Sequence, residues 1–493
     1  MPLAAAGPLD VRPKTTIASR QSERMGAILG VASCRVNCRR YLGYRDAVGT
    51  LLPPGPMLPT ALQTLIWIRR PIEFMRFCRA RYGDTYAMRI AGTGTVVLLS
   101  DPESIKRVFT GDASDLCAGE VNAVLEPIVG QNSVLLLDGA RHLRHRRLLL
   151  PPFHGERMRL YAAQMQEATQ RSLERWPRGE PFSLRPHTQD ITLDVILRTV
   201  FGVDQRDEVG ELRLRLERLL SIADSPLSVL AMIPSLRRDL PLTPWRRFVR
   251  DREAADREIF AVIARRRRAG TGGRDDVLGM LLEAVDVDGE RLSDVELRDE
   301  LMTLLVAGHE TTATALCWAF ERLLGTPRVL ERLQREIDDV TGGRLEPEHL
   351  GRMPYLDATI AEVLRVRPVI PMVGRRLHAP LTLERYQIPT GWVVSPSIYL
   401  THMNPAVYDD PEELRPERFL EKRPDPYAWL PFGGGIRRCL GAAFAHYEMK
   451  VVMATILSRT ELELAQRPPV PTVRRAITFS PREGTLVRAR PRG

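Results

Sequence analysis

One of the six cysteines in this 493-residue chain stands in a setting built for reactivity. Cys439 lies in the string Phe432-Gly433-Gly434-Gly435-Ile436-Arg437-Arg438-Cys439-Leu440-Gly441. Three consecutive glycines permit backbone conformations and close approach that side chains forbid. A glycine-permitted loop running into a helix would bring backbone N–H groups near the Cys439 sulfur. Those donors, the helix dipole and Arg437 would all favour thiolate, the metal-ligating form of cysteine, over thiol. The other thiols read as small apolar side chains in a reducing compartment. Cys34 and Cys38 are separated by three residues, and no second Cys/His pair follows at zinc-like spacing.

Three more constellations carry chemistry. Ala307-Gly308-His309-Glu310-Thr311-Thr312 sits in a stretch whose Leu301–Gly308 section is apolar nearly all round. A carboxylate there is costly unless it is functional or paired, which singles out Glu310. Thr311 can use its hydroxyl on a bound molecule or turn it back to a carbonyl and bend its helix. With Gly308 one turn earlier, a local widening of that helix is expected. Glu362 and Arg365 are three apart and share a helix face. Asp138-Gly139 opens a basic stretch of Arg141, His142, Arg144, His145, Arg146 and Arg147, in which His142 and Arg146 fall on one face at i and i+4.

The elements that must position these residues are mainly helical. Helical patterns cover 71–81, 155–176, 188–202, 209–223, 244–269, 275–285, 293–324, 327–340, 354–365 and 441–459. The 293–324 helix must run through the interior. Thr85–Ile90 and Thr95–Ser100 read as a hairpin turning at Gly92 and Gly94. Asp101 is the expected N-cap of a helix through Phe109, with Pro102 in its first position. After residue 370 the chain turns to short strands and Pro-rich loops. The fold class is therefore mainly α with a minor β part. Residues 1–50 are expected to form a basic, disordered extension, and 51–493 a single catalytic domain beginning beyond Leu52-Pro53-Pro54-Gly55-Pro56.

Composition narrows the partners. The net charge of +10 comes from 71 basic and 61 acidic residues. Residues 1–50 hold eight Arg or Lys against three Asp or Glu, so they supply half the excess. No basic run is interleaved with aromatics, which argues against nucleic acid. The best apolar candidate, Met57–Ile68, is short and contains Pro59, so no integral membrane anchor is expected and a cytoplasmic protein follows.

The Cys439 string resembles the haem-binding loop Phe-x-x-Gly-x-Arg-x-Cys-x-Gly of the cytochrome P450 family at every fixed position. Ala307–Thr312 resembles that family's oxygen-binding motif, Glu362-Val363-Leu364-Arg365 its Glu-x-x-Arg, and Pro416-Glu417-Arg418-Phe419 its later meander motif. All four occur in the family's order, and the likeness covers roughly residues 50–490. The resemblance implies haem b (iron protoporphyrin IX) held between the long central helix and the Cys loop with its following helix. Cys439 would then be the metal ligand of a soluble bacterial-type haem-thiolate monooxygenase. It implies that His142 (where the family often has Trp) and Arg146 bind the haem propionates, with Arg437 and Arg375 as further partners and Arg376 as the competing register. It implies that Glu310 relays protons and Thr311 holds a water by hydrogen bonding during dioxygen activation. Arg418 would join Glu362 and Arg365 in a buried brace. A lipophilic small molecule would bind among Ala113–Leu135, a Leu216–Pro244 hairpin acting as a lid, Leu304–Ala307, Val369–Val373 and Ile477–Phe479. Electrons would come from NAD(P)H through a ferredoxin or flavodoxin with its reductase, steered by Arg144, Arg147, Arg438 and Lys450.

Overall fold

The computed structural model describes residues 51–153, 157–203, 206–221, 243–270, 275–422 and 424–492. The expected N-terminal extension lies outside the described residues, as does most of the expected lid, including Pro226, Pro234 and Pro241. Two helices, α1 (Thr60–Arg69) and α2 (Pro71–Tyr82), lead into the antiparallel hairpin β1 (Thr85–Ile90) and β2 (Gly94–Leu99). Asp101 then caps α3 (Pro102–Thr110), its carboxylate accepting from the Glu103 and Ser104 amides at 3.0 Å. The helical body follows as α4 (Gly139–Leu149), α5 (Arg157–Glu174), α6 (Arg185–Thr199), α7 (Arg206–Ser221), α8 (Pro244–Ala269) and α9 (Val277–Glu283). It continues with α10 (Asp294–Leu324), α11 (Pro327–Thr341), α12 (Pro354–Val366) and α13 (Ala442–Arg459). These helices fall close to the periodic stretches of the sequence.

The 31-residue α10 is the axle of the fold. At 1.5 Å per residue it runs for about 46 Å, enough to cross a domain. A capping box starts it: Ser293 Oγ accepts from the Glu296 amide at 3.3 Å, and Glu296 accepts from the Ser293 amide at 2.9 Å. The helix packs against α6 along one flank and against α12 and α13 along others. Leu297, Leu301, Leu305, Leu316 and Phe320 are all wholly buried, so apolar burial on several faces holds it in the interior.

The smaller β part consists of β3 (Leu116–Cys117), β4 (Phe182–Ser183), β5 (Arg375–Leu377), β6 (Leu381–Leu383), β7 (Tyr386–Ile388) and β8 (Val393–Pro396), then β9 (Thr460–Leu464), β10 (Thr472–Arg475), β11 (Thr478–Pro481) and β12 (Leu486–Pro491). Five strands form one sheet in the order β1-β2-β8-β5-β3, with β2 and β8 parallel and the other pairs antiparallel. That sheet delivers Arg375 to one wall of the site, while the β10–β11 hairpin closes another.

Glu362 and Arg365 are both fully buried, so the surface ion pair that such spacing often produces is not what forms. Arg365 grips Glu362 bidentately at 2.7 Å through Nε and Nη2. Its remaining N–H groups donate to the carbonyls of His402 and Pro411 at 2.8 Å and of Glu413 at 3.1 Å. Arg418 Nε reaches Glu362 at 3.3 Å, as the resemblance implies. His402 Nε2 accepts from the Leu430 amide at 2.8 Å, so the brace connects directly to the strip of chain entering the Cys439 loop. No helix among the described residues is long and apolar enough to cross a membrane.

Candidate active site

The Cys439 loop is a folded cradle whose glycines are required one by one. Gly433 and Gly435 take φ of 67° and 64°, in the left-handed region. A Cβ on Gly434 would sit 2.4 Å from the Phe109 ring, so α3 packs directly onto the loop. The Cys439 amide closes the loop by donating to the Phe432 carbonyl at 3.0 Å. Just before α13, the Gly441 N–H donates to the Cys439 sulfur. Cys439 is exposed only in the sense that it opens onto a cavity. Burial raises its thiol pKa, while the Gly441 N–H and the charges of Arg146 and Arg438 oppose that rise. Arg437, expected to be the cation favouring the thiolate, is turned elsewhere. It pairs with Asp138 and donates to the Val134 carbonyl at 3.0 Å and to the Leu137 carbonyl.

Arg437 nevertheless lines the same cavity, together with His142, Arg146 and Arg375. Asp138 accepts from the Ala118 and Gly119 amides at 3.0 and 2.9 Å, besides Arg437. Arg146 donates to the Arg438 carbonyl at 2.8 Å. Arg375 is buried; among the described residues its guanidinium donates only to the Gly374 carbonyl (2.8 Å), with the Phe109 ring 5.8 Å away. Burial and the neighbouring charges of Arg437 and Arg146 push His142 down to about 4. Burial and Arg437 push Arg375 down to about 10. Three guanidiniums and an imidazole thus converge with one carboxylate among them, an arrangement that lacks negative charge. The two carboxylate arms of a haem would supply it, so the residues present fit that group. Between the two registers, Arg375 faces the cavity, whereas Arg376 points away to Glu120 at 3.3 Å and the Gly391 carbonyl at 2.7 Å.

On the opposite wall, α10 presents Glu310 and Thr311. Glu310 is paired: it accepts from Arg185 Nη2 at 2.8 Å, Gln189 Nε2 at 2.9 Å and Thr314 Oγ1 at 3.3 Å. Thr311 Oγ1 donates back to the Ala307 carbonyl. The expected widening at Gly308 does not interrupt the helix, which is continuous from Asp294 to Leu324. Gly308 instead allows close packing of α6, since a Cβ there would meet Ile196 Cδ1 at 2.9 Å. Arg185 and Gln189 on α6 carried no motif, and only the packing of α6 on α10 brings them to Glu310.

The cavity between these walls measures about 960 Å³. Of the expected substrate segments, Ala118, Val121 and Leu125, then Leu219 and Leu220, Leu304 and Val306, Val369–Val373 and Ile477–Phe479 all line it. Trp67 of α1, Met88 and Ile90 of β1, and Trp245 and Phe248 of α8 line it as well, and sequence reasoning missed them. Their apolar side chains carry no local pattern that separates a cavity wall from ordinary core.

The expected electron-donor patch needs correction. Arg144 is neutralised by Asp286 at 2.5 Å and Glu296 at 3.1 Å, and Lys450 is buried against Asp357 at 2.6 Å. Both are held by acids on other parts of the fold that helical spacing could not reveal. Arg147 and Arg438 remain exposed.

Comparison with known proteins agrees with this geometry. A family model described as Cytochrome P450 matches residues 53–487. The putative cytochrome P450 135B1 of Mycobacterium tuberculosis is 40% identical over 445 residues, covering 89% of this chain and 91% of that protein. The putative cytochrome P450 137 of the same organism is 37% identical over 477 residues, covering 95% and 96%. Among solved structures, retinoic acid bound cyanobacterial CYP120A1 superposes with a TM-score of 0.79 at 27% identity, covering 90% of this chain and 100% of that one. The cytochrome P450DA heme domain gives 0.77 at 25% identity, covering 90% and 98%.

Proposed function

The chain belongs to the cytochrome P450 family and is a haem-thiolate monooxygenase, and from that premise we propose that it inserts one oxygen atom into a lipophilic small molecule. The observation that carries this reading is the single cavity joining Cys439 and a cationic cluster to Glu310 and Thr311. Cys439 is the metal ligand. His142, Arg146, Arg375 and Arg437 hold the propionates of haem b. Bound there, the haem supplies dioxygen chemistry, to which thiolate ligation adds electron density that favours O–O cleavage; this enzyme class is the general example of that effect.

The chain's own residues supply position, dryness and protons. The apolar walls, including Leu304, Val306, Val369 and Phe479, bind a lipophilic substrate and exclude water. Thr311 Oγ1, spending its proton on the Ala307 carbonyl, is free to accept from a water in the cavity. Rotation away from that carbonyl lets the same hydroxyl donate. Glu310, oriented by Arg185 and Gln189, passes protons toward that water from the polar edge of α6. Electrons come from NAD(P)H through a separate ferredoxin or flavodoxin with its reductase, docking over Arg438 and Arg147, in the cytoplasm. The test is Thr311→Ala: product formed per NAD(P)H should fall and hydrogen peroxide rise. Unchanged coupling would remove Thr311 from proton delivery.

A further inference from the structure

Away from the cationic cluster and the Cys439 loop, the described ionisable groups along the cavity wall are held by neighbouring side chains or carbonyls. Asp190 is engaged by Arg175 and Arg213, and Glu217 by Arg213 at 2.7 Å. Glu310 is held by Arg185, His309 lies 2.8 Å from the Thr192 hydroxyl, and Arg475 donates to the Arg482 carbonyl at 3.1 Å. Arg474, on β10, is different. Its Nε donates to the Ala476 carbonyl at 2.8 Å, and its guanidinium lies over the Trp67 ring, 5.6 Å from the centroid. Neither terminal nitrogen has an acidic partner among the described residues. Trp67, Met88, Ile90 and Ile477 surround this end of the cavity with apolar surface.

The arrangement orients a cation and leaves its anion unsupplied. The Nε bond and the Trp67 face hold the guanidinium plane, which would otherwise lose rotamer freedom on binding. Arg474 is exposed at this end of the cavity, and no acidic side chain opposes its charge among the described residues. Two parallel N–H groups at the end of a greasy channel match a carboxylate on an apolar tail.

We propose that Arg474, seated on Trp67, is the anchor for the carboxylate of an amphipathic acid whose apolar chain extends along the cavity toward Cys439. This inference rests on the cavity being the substrate site of a monooxygenase, and it narrows the substrate class to lipophilic acids. The distal anchor fixes how far the chain reaches and hence which carbon is presented for oxidation.

The experiment is a spectral titration of the haem-loaded protein with dodecanoic, hexadecanoic and retinoic acids, each against its methyl ester. In the wild type at least one acid should induce the low- to high-spin shift with a Kd about tenfold below that of its ester, the scale of a charge-assisted hydrogen bond. Arg474→Gln should bring acid and ester within about twofold while leaving the ester Kd unchanged, and Arg474→Lys should fall between. Equal affinity of acid and ester in the wild type, no shift with any of the three acids, or an acid preference that survives in Arg474→Gln would overturn the proposal. The carbon monoxide spectrum of each reduced sample separates the two failures. A thiolate-type band with no acid preference sinks only the anchor, whereas a missing band sinks the monooxygenase reading beneath it.

Discussion

Replacing Arg365 by Met should be among the most damaging single changes outside the cavity. The substitution removes both bonds to Glu362 and strands that carboxylate in a fully buried site, with the Arg415 amide at 3.0 Å and Arg418 at 3.3 Å as its remaining donors. Breaking one side of a buried ion pair costs about 3–5 kcal/mol. The carbonyls of His402, Pro411 and Glu413 lose their donor as well, at roughly 1 kcal/mol each. The sum, roughly 6–8 kcal/mol, is an upper bound because neighbouring effects do not add, yet it rivals a whole domain's stability. Arg365→Met is therefore expected to accumulate little haem-loaded protein at 37 °C. Arg365→Lys keeps one charge and three donors, and it should fold with faster amide hydrogen exchange across 402–418 and 429–439, because His402 ties the first segment to the second. A double replacement, Glu362→Met with Arg365→Met, should be less destabilising than the two single costs summed, since neither half of that pair is left buried without the other. Normal haem content in Arg365→Met, or unchanged exchange in Arg365→Lys, would refute the reasoning.

Other outcomes follow from the same geometry. Burial pushes the Glu300 carboxyl up to about 7, against the Val134 amide at 2.9 Å and His145 at 2.7 Å. The folded state then holds more protons than the unfolded chain between about 4.5 and about 7, so wild-type stability relative to Glu300→Gln should decline as pH rises through that window. A difference in melting temperature that stays flat with pH contradicts this. Arg375→Gln should lose haem to an apoprotein acceptor about tenfold faster than wild type, while Arg376→Gln should not, and equal rates would return the choice of register to open. Charge reversal at Arg438 should slow reduction by an acidic ferredoxin and flatten its dependence on ionic strength, since electrostatic steering falls steeply with salt. Identical rates at low salt would leave the exposed cations without that role.

Sequence alone exposes the parts of the site that local physics dictates. Asp101 with Pro102 announces a helix start because the capping groups are adjacent in the chain. The Gly433–Gly435 run announces the Cys439 loop because only glycine tolerates that backbone. Long-range pairings stay hidden. Nothing near Arg144 foretells Asp286, nor anything near Lys450 foretells Asp357, so both cations read as surface charge until the fold brings the acids. Helix α1 escapes notice because Leu62, Leu65 and Ile68 are partly exposed while Gln63 is wholly buried, donating to the Pro56 and Leu58 carbonyls at 3.1 and 2.7 Å. That inversion of the usual apolar face also concealed Trp67 as a cavity residue. The β2–β8 pairing joins segments nearly three hundred residues apart, and β5 pairs with β8 in turn, so the sheet that turns Arg375 rather than Arg376 to the cavity is assembled from distant pieces of chain.

The central claim is that Cys439 is the thiolate ligand of the haem iron. The carbon monoxide difference spectrum of the reduced wild-type protein, set beside that of Cys439→Ser, tests it most directly. The account predicts a red-shifted thiolate-type Soret band in the wild type and its complete loss in Cys439→Ser. A normal thiolate-type band in the Ser variant would contradict the account at its root.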